Sequence, residues 1–166
     1  MMNFNATKKG LLISLLLILS SLVLFYGLHF PVNGKSQYII LCTYIAGILW
    51  VLIDFKNKSE GEFPFKDYFS EGFKAFIVIT LLMVLYTFVF YRFNPQILEN
   101  GIIENNILVA KEGNHTAAEI EVNANKLRNI FMPMMLFLTT VKFIFLGALV
   151  TAVTAGFFSQ KYKQTN

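Results

Sequence analysis

The sequence predicts an all-α integral membrane protein in which four helices cross the bilayer as one bundle. Apolar residues make up 55% of its 166 residues, and the mean hydropathy is +0.57. A soluble domain of this length could not bury so much apolar surface, so the excess is expected to face lipid. The apolar residues also fall into four runs near the length of about 20 residues that spans a hydrocarbon core. We expect a single membrane domain over residues 1–166, with spans at about 11–30, 38–53, 75–93 and 134–158.

The first two spans are predicted to form an antiparallel hairpin. Lys8 and Lys9 precede the apolar run 11–30, an arrangement that also occurs in signal peptides. The run is longer than the apolar region of a signal peptide, and no small-residue cleavage site follows it, which favours an uncleaved span. A short turn that begins at Pro31 leads into the second span, which Asp54 is expected to close at the membrane interface.

The third span is predicted to begin with an amphipathic segment. Pro64 suits the first turn of a helix, and aromatic residues then recur at helical spacing through residues 65–76, opposite charged side chains. Such a pattern is typical of a helix that lies at the membrane surface. We therefore expect an amphipathic turn over 65–74 that runs directly into the span 75–93.

The segment 65–74, FKDYFSEGFK, resembles the aromatic, charged, glycine-containing segment before the third helix of the bacterial membrane proteins grouped as domain of unknown function 4199. The pair Asn94-Pro95 after the third span and a long final helix that ends in basic residues are similar too. The resemblance implies four membrane helices in a bacterial inner membrane and no assigned activity. It therefore marks an interfacial motif and no catalytic residue. The residues of that motif are Phe65, Phe69, Gly72 and Phe73.

Between the third and fourth spans lies a long outer segment, residues 94–131. Asn94 is expected to cap a helix that has Pro95 in its first position, and that helix is expected to end near Gly113. The segment is too long to serve only as a connector. Its charged and apolar faces would suit a partner protein or lipid headgroups.

The last helix is predicted to begin well before the membrane. Thr116 and Glu119 have the spacing of a capping box, so the helix is expected to start near Ala117 and to enter the bilayer near Pro133. Small residues then recur four positions apart in two neighbouring rows, a spacing that allows helix backbones to approach closely in lipid. The alternative is that these small residues only tolerate lipid. The predicted packing face consists of Gly147, Ala148, Thr151, Ala152, Ala155 and Gly156.

Lys142 is the one charge within the final apolar run 130–158. Counted back from the end of that run, it lies close to the outer interface, so its ammonium group could reach the headgroup layer. The alternative is that Lys142 faces the bundle interior and binds an anion, a lipid headgroup or a proton, because buried charges in membranes are costly and usually functional.

The distribution of Lys and Arg predicts that both chain ends lie inside the cell. Eight basic residues are expected on the inner side and five on the outer side, and most of the outer ones lie in one long segment, where they carry less weight. The inner residues are Lys8, Lys9, Lys56, Lys58, Lys66, Lys74, Lys161 and Lys163, and the outer ones are Lys35, Arg92, Lys111, Lys126 and Arg128.

No motif in the sequence predicts catalysis, a metal site or a cofactor. Cys42 is the only cysteine, His29 and His115 are far apart, and no zinc-protease, dinucleotide or P-loop motif is present. The basic residues adjoin apolar runs, which argues against nucleic-acid binding. We therefore expect a non-enzymatic accessory or assembly protein whose partners are the bilayer and a membrane protein or a second copy. The alternative function is a small transporter or a lipid- or anion-binding bundle that uses Lys142.

Overall fold

A computed structural model describes residues 5–31, 34, 36–58, 63–113 and 115–165. Within them the chain forms five α-helices, and a π-helical turn at Val23–Gly27 follows the first. The five helices are α1 (Ala6–Leu22), α2 (Ser36–Lys58), α3 (Phe65–Phe93), α4 (Gln96–Glu112) and α5 (Ala117–Thr165). The predicted all-α membrane bundle is confirmed, because four stretches of helix are long and apolar enough to cross a membrane.

The first helix is shifted towards the N-terminus relative to the predicted span 11–30. It begins at Ala6 because the Asn5 side chain accepts a hydrogen bond from the backbone N–H of Lys8, at 3.0 Å. It ends with the π-helical turn, and His29 then adopts a left-handed conformation with φ of 54°. A left-handed residue ends a helix, so the helical structure stops before Phe30.

The second helix is longer than predicted at both ends. The helix continues past Asp54 for another turn, to Lys58. The carboxylate of Asp54 is paired with Lys9 and with Lys58, one turn further along the same helix. In the turn between α1 and α2, residues 32, 33 and 35 lie outside the described residues.

The amphipathic segment 65–74 and the third span form one continuous helix, as expected. The predicted cap at Asn94 is wrong. No side chain caps α4, and the Asn94 amide donates instead to the carbonyl of Phe90 in α3, at 2.8 Å. The Asn94 amide thus bonds to the end of α3, while its Oδ1 accepts a hydrogen bond from the side chain of Gln96 in α4, at 3.2 Å. The end of α4 at Gly113 is confirmed, with Gly113 left-handed at φ of 71°.

The last helix begins at Ala117, as predicted, and runs for 49 residues. The capping box is confirmed: Thr116 N–H donates to Glu119 Oε2 at 2.8 Å, and Glu119 N–H donates to Thr116 Oγ1 at 3.3 Å. The helix continues through Pro133. At a rise of 1.5 Å per residue it is roughly 74 Å long, more than twice the thickness of a hydrocarbon core.

The chain divides into two compact units. The first unit comprises Met1–Met83 and Val141–Asn166, and the second comprises Val84–Thr140. The first unit thus contains α1, α2, the first part of α3 and the last part of α5. The second contains the end of α3, α4 and the first part of α5.

Candidate functional site

In the first unit, α3 and α5 approach each other most closely at two glycines. A Cβ atom added to Gly72 would lie 2.6 Å from Thr151 Oγ1, and one added to Gly147 would lie 2.7 Å from the Cβ of Phe76. Real Cβ atoms do not approach other heavy atoms so closely, so these positions require glycine. We call the contact formed by Gly72, Phe76, Gly147 and Thr151 the α3–α5 seam.

The second helix joins this seam through Tyr44. Its hydroxyl donates a hydrogen bond to the backbone carbonyl of Phe143, at 2.8 Å, and the two rings meet edge to face with centroids 4.9 Å apart. Both side chains are fully buried. The polar hydroxyl is thereby satisfied inside an apolar core, where an unpaired hydroxyl would be costly.

The two predicted rows of small residues differ in their burial. Gly147, Thr151 and Ala155 are buried. Ala148, Ala152 and Gly156 are half-buried, and a Cβ atom added to Gly156 would meet nothing within 4 Å. Gly147 and Thr151 of the first row therefore lie in the α3–α5 seam, whereas open space adjoins the second row at Gly156.

A buried ion pair connects α1 and α2. Lys9 is only 4% exposed and is paired with the carboxylate of Asp54, which Lys58 also contacts at 2.9 Å. The Lys9 ammonium group also lies 6.0 Å from the centre of the Trp50 ring. We call Lys9, Asp54 and Lys58 the ion-pair cluster. One carboxylate between two ammonium groups leaves the cluster with a net positive charge.

The sequence interpretation missed this cluster, because Lys9 was assigned to topology and Asp54 to the interface. The signal that could have revealed it is hairpin geometry. Pro31, at the turn, lies 22 residues after Lys9 and 23 residues before Asp54. In an antiparallel hairpin, residues equidistant from the turn lie at the same height, and a charged pair there is expected to meet.

The ion-pair cluster adjoins an aromatic cluster at the same end of the first unit. The rings of Phe55 and Tyr68 meet edge to face at 5.4 Å, and Tyr68 contacts Phe158 at 5.6 Å. The ammonium group of Lys56 lies 4.4 Å from the centre of the Phe158 ring, within the range of a cation–π interaction. The start of α3, the end of α2 and the end of α5 are thereby joined.

The residues of the interfacial motif differ in their burial. Gly72 is buried in the α3–α5 seam. Phe65, Phe69 and Phe73 stack along α3, with successive ring centres 5.6 and 6.4 Å apart. Phe65 and Phe73 are 44% and 46% exposed, so these two rings project from the unit.

Lys142 lies on an exposed face of α5. Phe145 and Leu149 follow it three and seven residues later, on the same side of the helix, and are 68% and 50% exposed. Its ammonium group lies 5.5 Å from the centre of the Phe143 ring. No carboxylate of the residues that the structure describes forms an ion pair with it. Lys142 itself is half-buried beside these exposed residues.

In the second unit, α4 and the first turns of α5 form a helical hairpin. Ile102 and Ala124 are buried between them. Arg128 donates two hydrogen bonds to the Glu99 carboxylate, at 3.0 and 2.8 Å. The guanidinium group holds the pKa of Glu99 below its usual value. We call residues 96–130 the outer hairpin.

The outer hairpin carries an open groove of about 480 Å³, lined by Val109, His115, Ala118, Glu119, Ile120, Val122, Asn123 and Lys126. His115 Nδ1 lies 3.9 Å from Glu119 Oε2. A single histidine and a single carboxylate are too few ligands for a tetrahedral zinc site. No group of three metal-ligating side chains occurs among the described residues.

The comparisons with known proteins place the chain in one family. No curated protein and no solved structure matches it. One family model, described as "Protein of unknown function (DUF4199)", matches residues 8–160. The matched range includes the ion-pair cluster, the α3–α5 seam and the outer hairpin. The chain therefore belongs to the DUF4199 family, as a multi-pass membrane protein built of apolar helices.

Proposed function

We propose that this protein is a non-enzymatic accessory or assembly protein of a bacterial cytoplasmic membrane, and that it binds another membrane protein through the outer hairpin. Helix–helix contacts along the spans would add to that association. The observation that carries the proposal is a set of large apolar side chains exposed on α4 and on the first turns of α5.

The length of α5 is the first support. Because roughly 74 Å of helix cannot fit in a hydrocarbon core of about 30 Å, a long part of α5 must lie outside it. The apolar run begins at Ile130, and the preceding turns carry Glu119, Glu121, Lys126 and Arg128. The first turns of α5, with α4 attached to them by Arg128, are therefore the part that lies outside.

The exposed side chains are the second support. Five large apolar residues of the outer hairpin are at least half exposed: Ile103, Ile107, Leu108, Val122 and Ile130. Exposed apolar residues outside a bilayer favour an interaction surface. Glu104 and Lys111 are exposed on the same helix as Ile107, and a charged side chain within the surface suits a protein partner better than acyl chains.

The ion-pair cluster supports a non-enzymatic function. An acid paired with a lysine in a membrane protein is a candidate for proton chemistry. Here, however, the Lys9 side chain is 5% exposed, and the Asp54 carboxylate is held by two ammonium groups. A substrate could not reach Lys9, so the pair is better suited to holding α1 against α2.

A photo-crosslinking side chain at Ile107 is expected to form an adduct of discrete mass with one membrane protein. The same side chain at Leu81, which is 65% exposed within the third span, is expected to label lipid and serves as the control. Adding Ile103→Asn should reduce the Ile107 adduct about tenfold, because truncating a central apolar contact is costly. Adduct masses are measured by gel electrophoresis and mass spectrometry.

Two outcomes would decide against this proposal. Adducts from Ile107 that contain only lipid would show that the outer hairpin contacts headgroups. A protein adduct that persists unchanged in the Ile103→Asn variant would show that proximity, and not this surface, produced it. An adduct at twice the mass of the chain would identify the partner as a second copy.

We further propose that both chain ends lie in the cytoplasm, supported by the excess of lysine on the side of the ion-pair cluster. In a Cys42→Ser background, Glu104→Cys is expected to react with a membrane-impermeant maleimide added to intact cells, and Asn57→Cys is expected to react only after lysis. Both positions are exposed in the structure. Labelling of Asn57→Cys in intact cells would reverse the orientation.

A further inference from the structure

Two parallel rows of side chains run along the first turns of α3. Phe65, Phe69 and Phe73 form an aromatic row with residues four apart, and Lys66, Ser70 and Lys74 form a polar row one position further along. Residues four apart lie above one another on a helix, so each row is a continuous ridge. The rings are exposed at the two ends of the aromatic row, and both lysines are exposed.

Packing on the face of α3 that lies beside the aromatic row and opposite the polar row fixes the orientation of both rows. Tyr68 and Phe76 are each 2% exposed, and Gly72 is in contact with Thr151 of α5. Tyr68 also contacts Phe55 and Phe158. Because the buried face is fixed to α2 and α5, the two rows form a preformed surface that does not need to fold on binding.

The length of α3 places the rows in the headgroup layer. Its 29 residues extend roughly 43 Å. This exceeds a hydrocarbon core of about 30 Å and equals a whole bilayer, headgroups included, of about 40–45 Å. The polar residues of the first turns therefore lie at the level of lipid phosphates, with the aromatic rings beside them at the boundary with the acyl chains.

The excess of lysine near the first turns of α3 suits an anionic membrane leaflet. The sequence segments that share the end with α3's first turns carry eight lysines and five acidic residues, namely Asp54, Glu60, Glu62, Asp67 and Glu71. The other sequence outside the predicted apolar spans, residues 31–37 and 92–131, carries five basic and five acidic residues. We propose that the aromatic row and the polar row of α3 together form a binding surface for anionic phospholipid headgroups.

Each group in the two rows has a separate role in this binding. The Lys66 and Lys74 ammonium groups pair with lipid phosphates, the Ser70 hydroxyl donates to a phosphate or glycerol oxygen, and the phenyl rings cover the upper acyl chains. Lys74 is also paired with Glu71, at 2.6 Å, one turn earlier on the same helix. Glu71 therefore competes with the lipid for Lys74 and weakens its contribution.

The test measures binding of phosphatidylglycerol, phosphatidylcholine and inorganic phosphate to the full-length protein in neutral detergent, by native mass spectrometry. Phosphatidylglycerol is expected to bind more tightly than phosphatidylcholine, and inorganic phosphate is not expected to displace it. A lysine near an anionic surface contributes about fivefold in affinity, so K66Q with K74Q should weaken phosphatidylglycerol binding by about twentyfold. E71Q, which frees Lys74, should strengthen it.

The matched control is K111Q with K126Q, which removes the same charge from exposed positions in the outer hairpin. It should change the affinity by less than about twofold if the α3 rows form the site. Equal losses in both double variants would show a general effect of net charge and overturn the proposal. Equal binding of the two lipids, or displacement by inorganic phosphate, would do the same. All of these outcomes are independent of whether a protein binds the outer hairpin.

Discussion

Asp54→Asn is expected to lower the free energy of unfolding by about 3–5 kcal/mol. The substitution removes the negative charge and leaves the Lys9 ammonium group buried without a counter-ion. Lys9 is 4% exposed, so water cannot replace the lost partner without opening the contact between α1 and α2. Equilibrium unfolding in a denaturing detergent, followed by circular dichroism, measures this loss.

Two further variants distinguish the stability contributed by the buried pair Lys9–Asp54 from that contributed by the exposed pair Lys58–Asp54. The Lys58 side chain is 46% exposed, so Lys58→Gln should cost less than about 1 kcal/mol. The double change Lys9→Met with Asp54→Leu removes both buried charges, and it should recover most of the stability lost in Asp54→Asn. If Asp54→Asn and Lys58→Gln are equally mild, the Lys9–Asp54 contact does not hold the hairpin together.

Gly72→Ala is the second substitution with a large expected effect, a destabilisation of about 1–3 kcal/mol. The added methyl group would collide with Thr151, whose Oγ1 would lie 2.6 Å away and whose Cβ would lie 3.0 Å away. Thr151 is branched at Cβ and fully buried, so it cannot rotate aside, and α3 must move away from α5. The midpoint of thermal unfolding in detergent measures the change.

Gly156→Ala is the matched control, because it makes the same substitution in a helix where nothing lies within 4 Å of the new Cβ. Alanine is the better helix former, so this variant should be neutral or slightly more stable. Thr151→Ala removes Oγ1 and Cγ2 and should restore at least half of the stability lost in Gly72→Ala. A Gly72→Ala protein as stable as Gly156→Ala would show that α3 and α5 do not meet at this seam.

The helices themselves were predictable because their signals are local. The capping box of Thr116 and Glu119 and the left-handed Gly113 appear in the structure as they were read from the sequence. The apolar runs likewise identified the four spans, although α1 begins and ends earlier than its predicted span and α2 extends beyond its predicted span at both ends. Asn94 was misassigned because an asparagine between two helices has backbone groups of both within reach, and the sequence does not show which it will bind.

The contacts between helices were harder to predict, because apolar periodicity does not determine how a membrane helix is rotated. Gly147 and Gly156 belong to neighbouring rows with the same spacing, yet only the first meets another helix closely. The difference lies in Phe76 and Tyr44, which are distant in sequence and give no local signal. The partner of a small residue can be identified only once the neighbouring helices are placed.

The ion-pair cluster also has a consequence for the alignment of α1 with α2. Leucine, isoleucine and valine make up 9 of the 17 residues of α1 and 9 of the 23 residues of α2, and such side chains pack nearly as well in several relative positions. The salt bridge discriminates between those positions, because sliding α1 by one helical turn, about 5.4 Å, would carry the ammonium group out of reach of the carboxylate. The pair of charges thus favours the same alignment as the close contact of Gly47 in α2 with Ile13 in α1, where an added Cβ atom would lie 2.8 Å from Ile13 Cγ2.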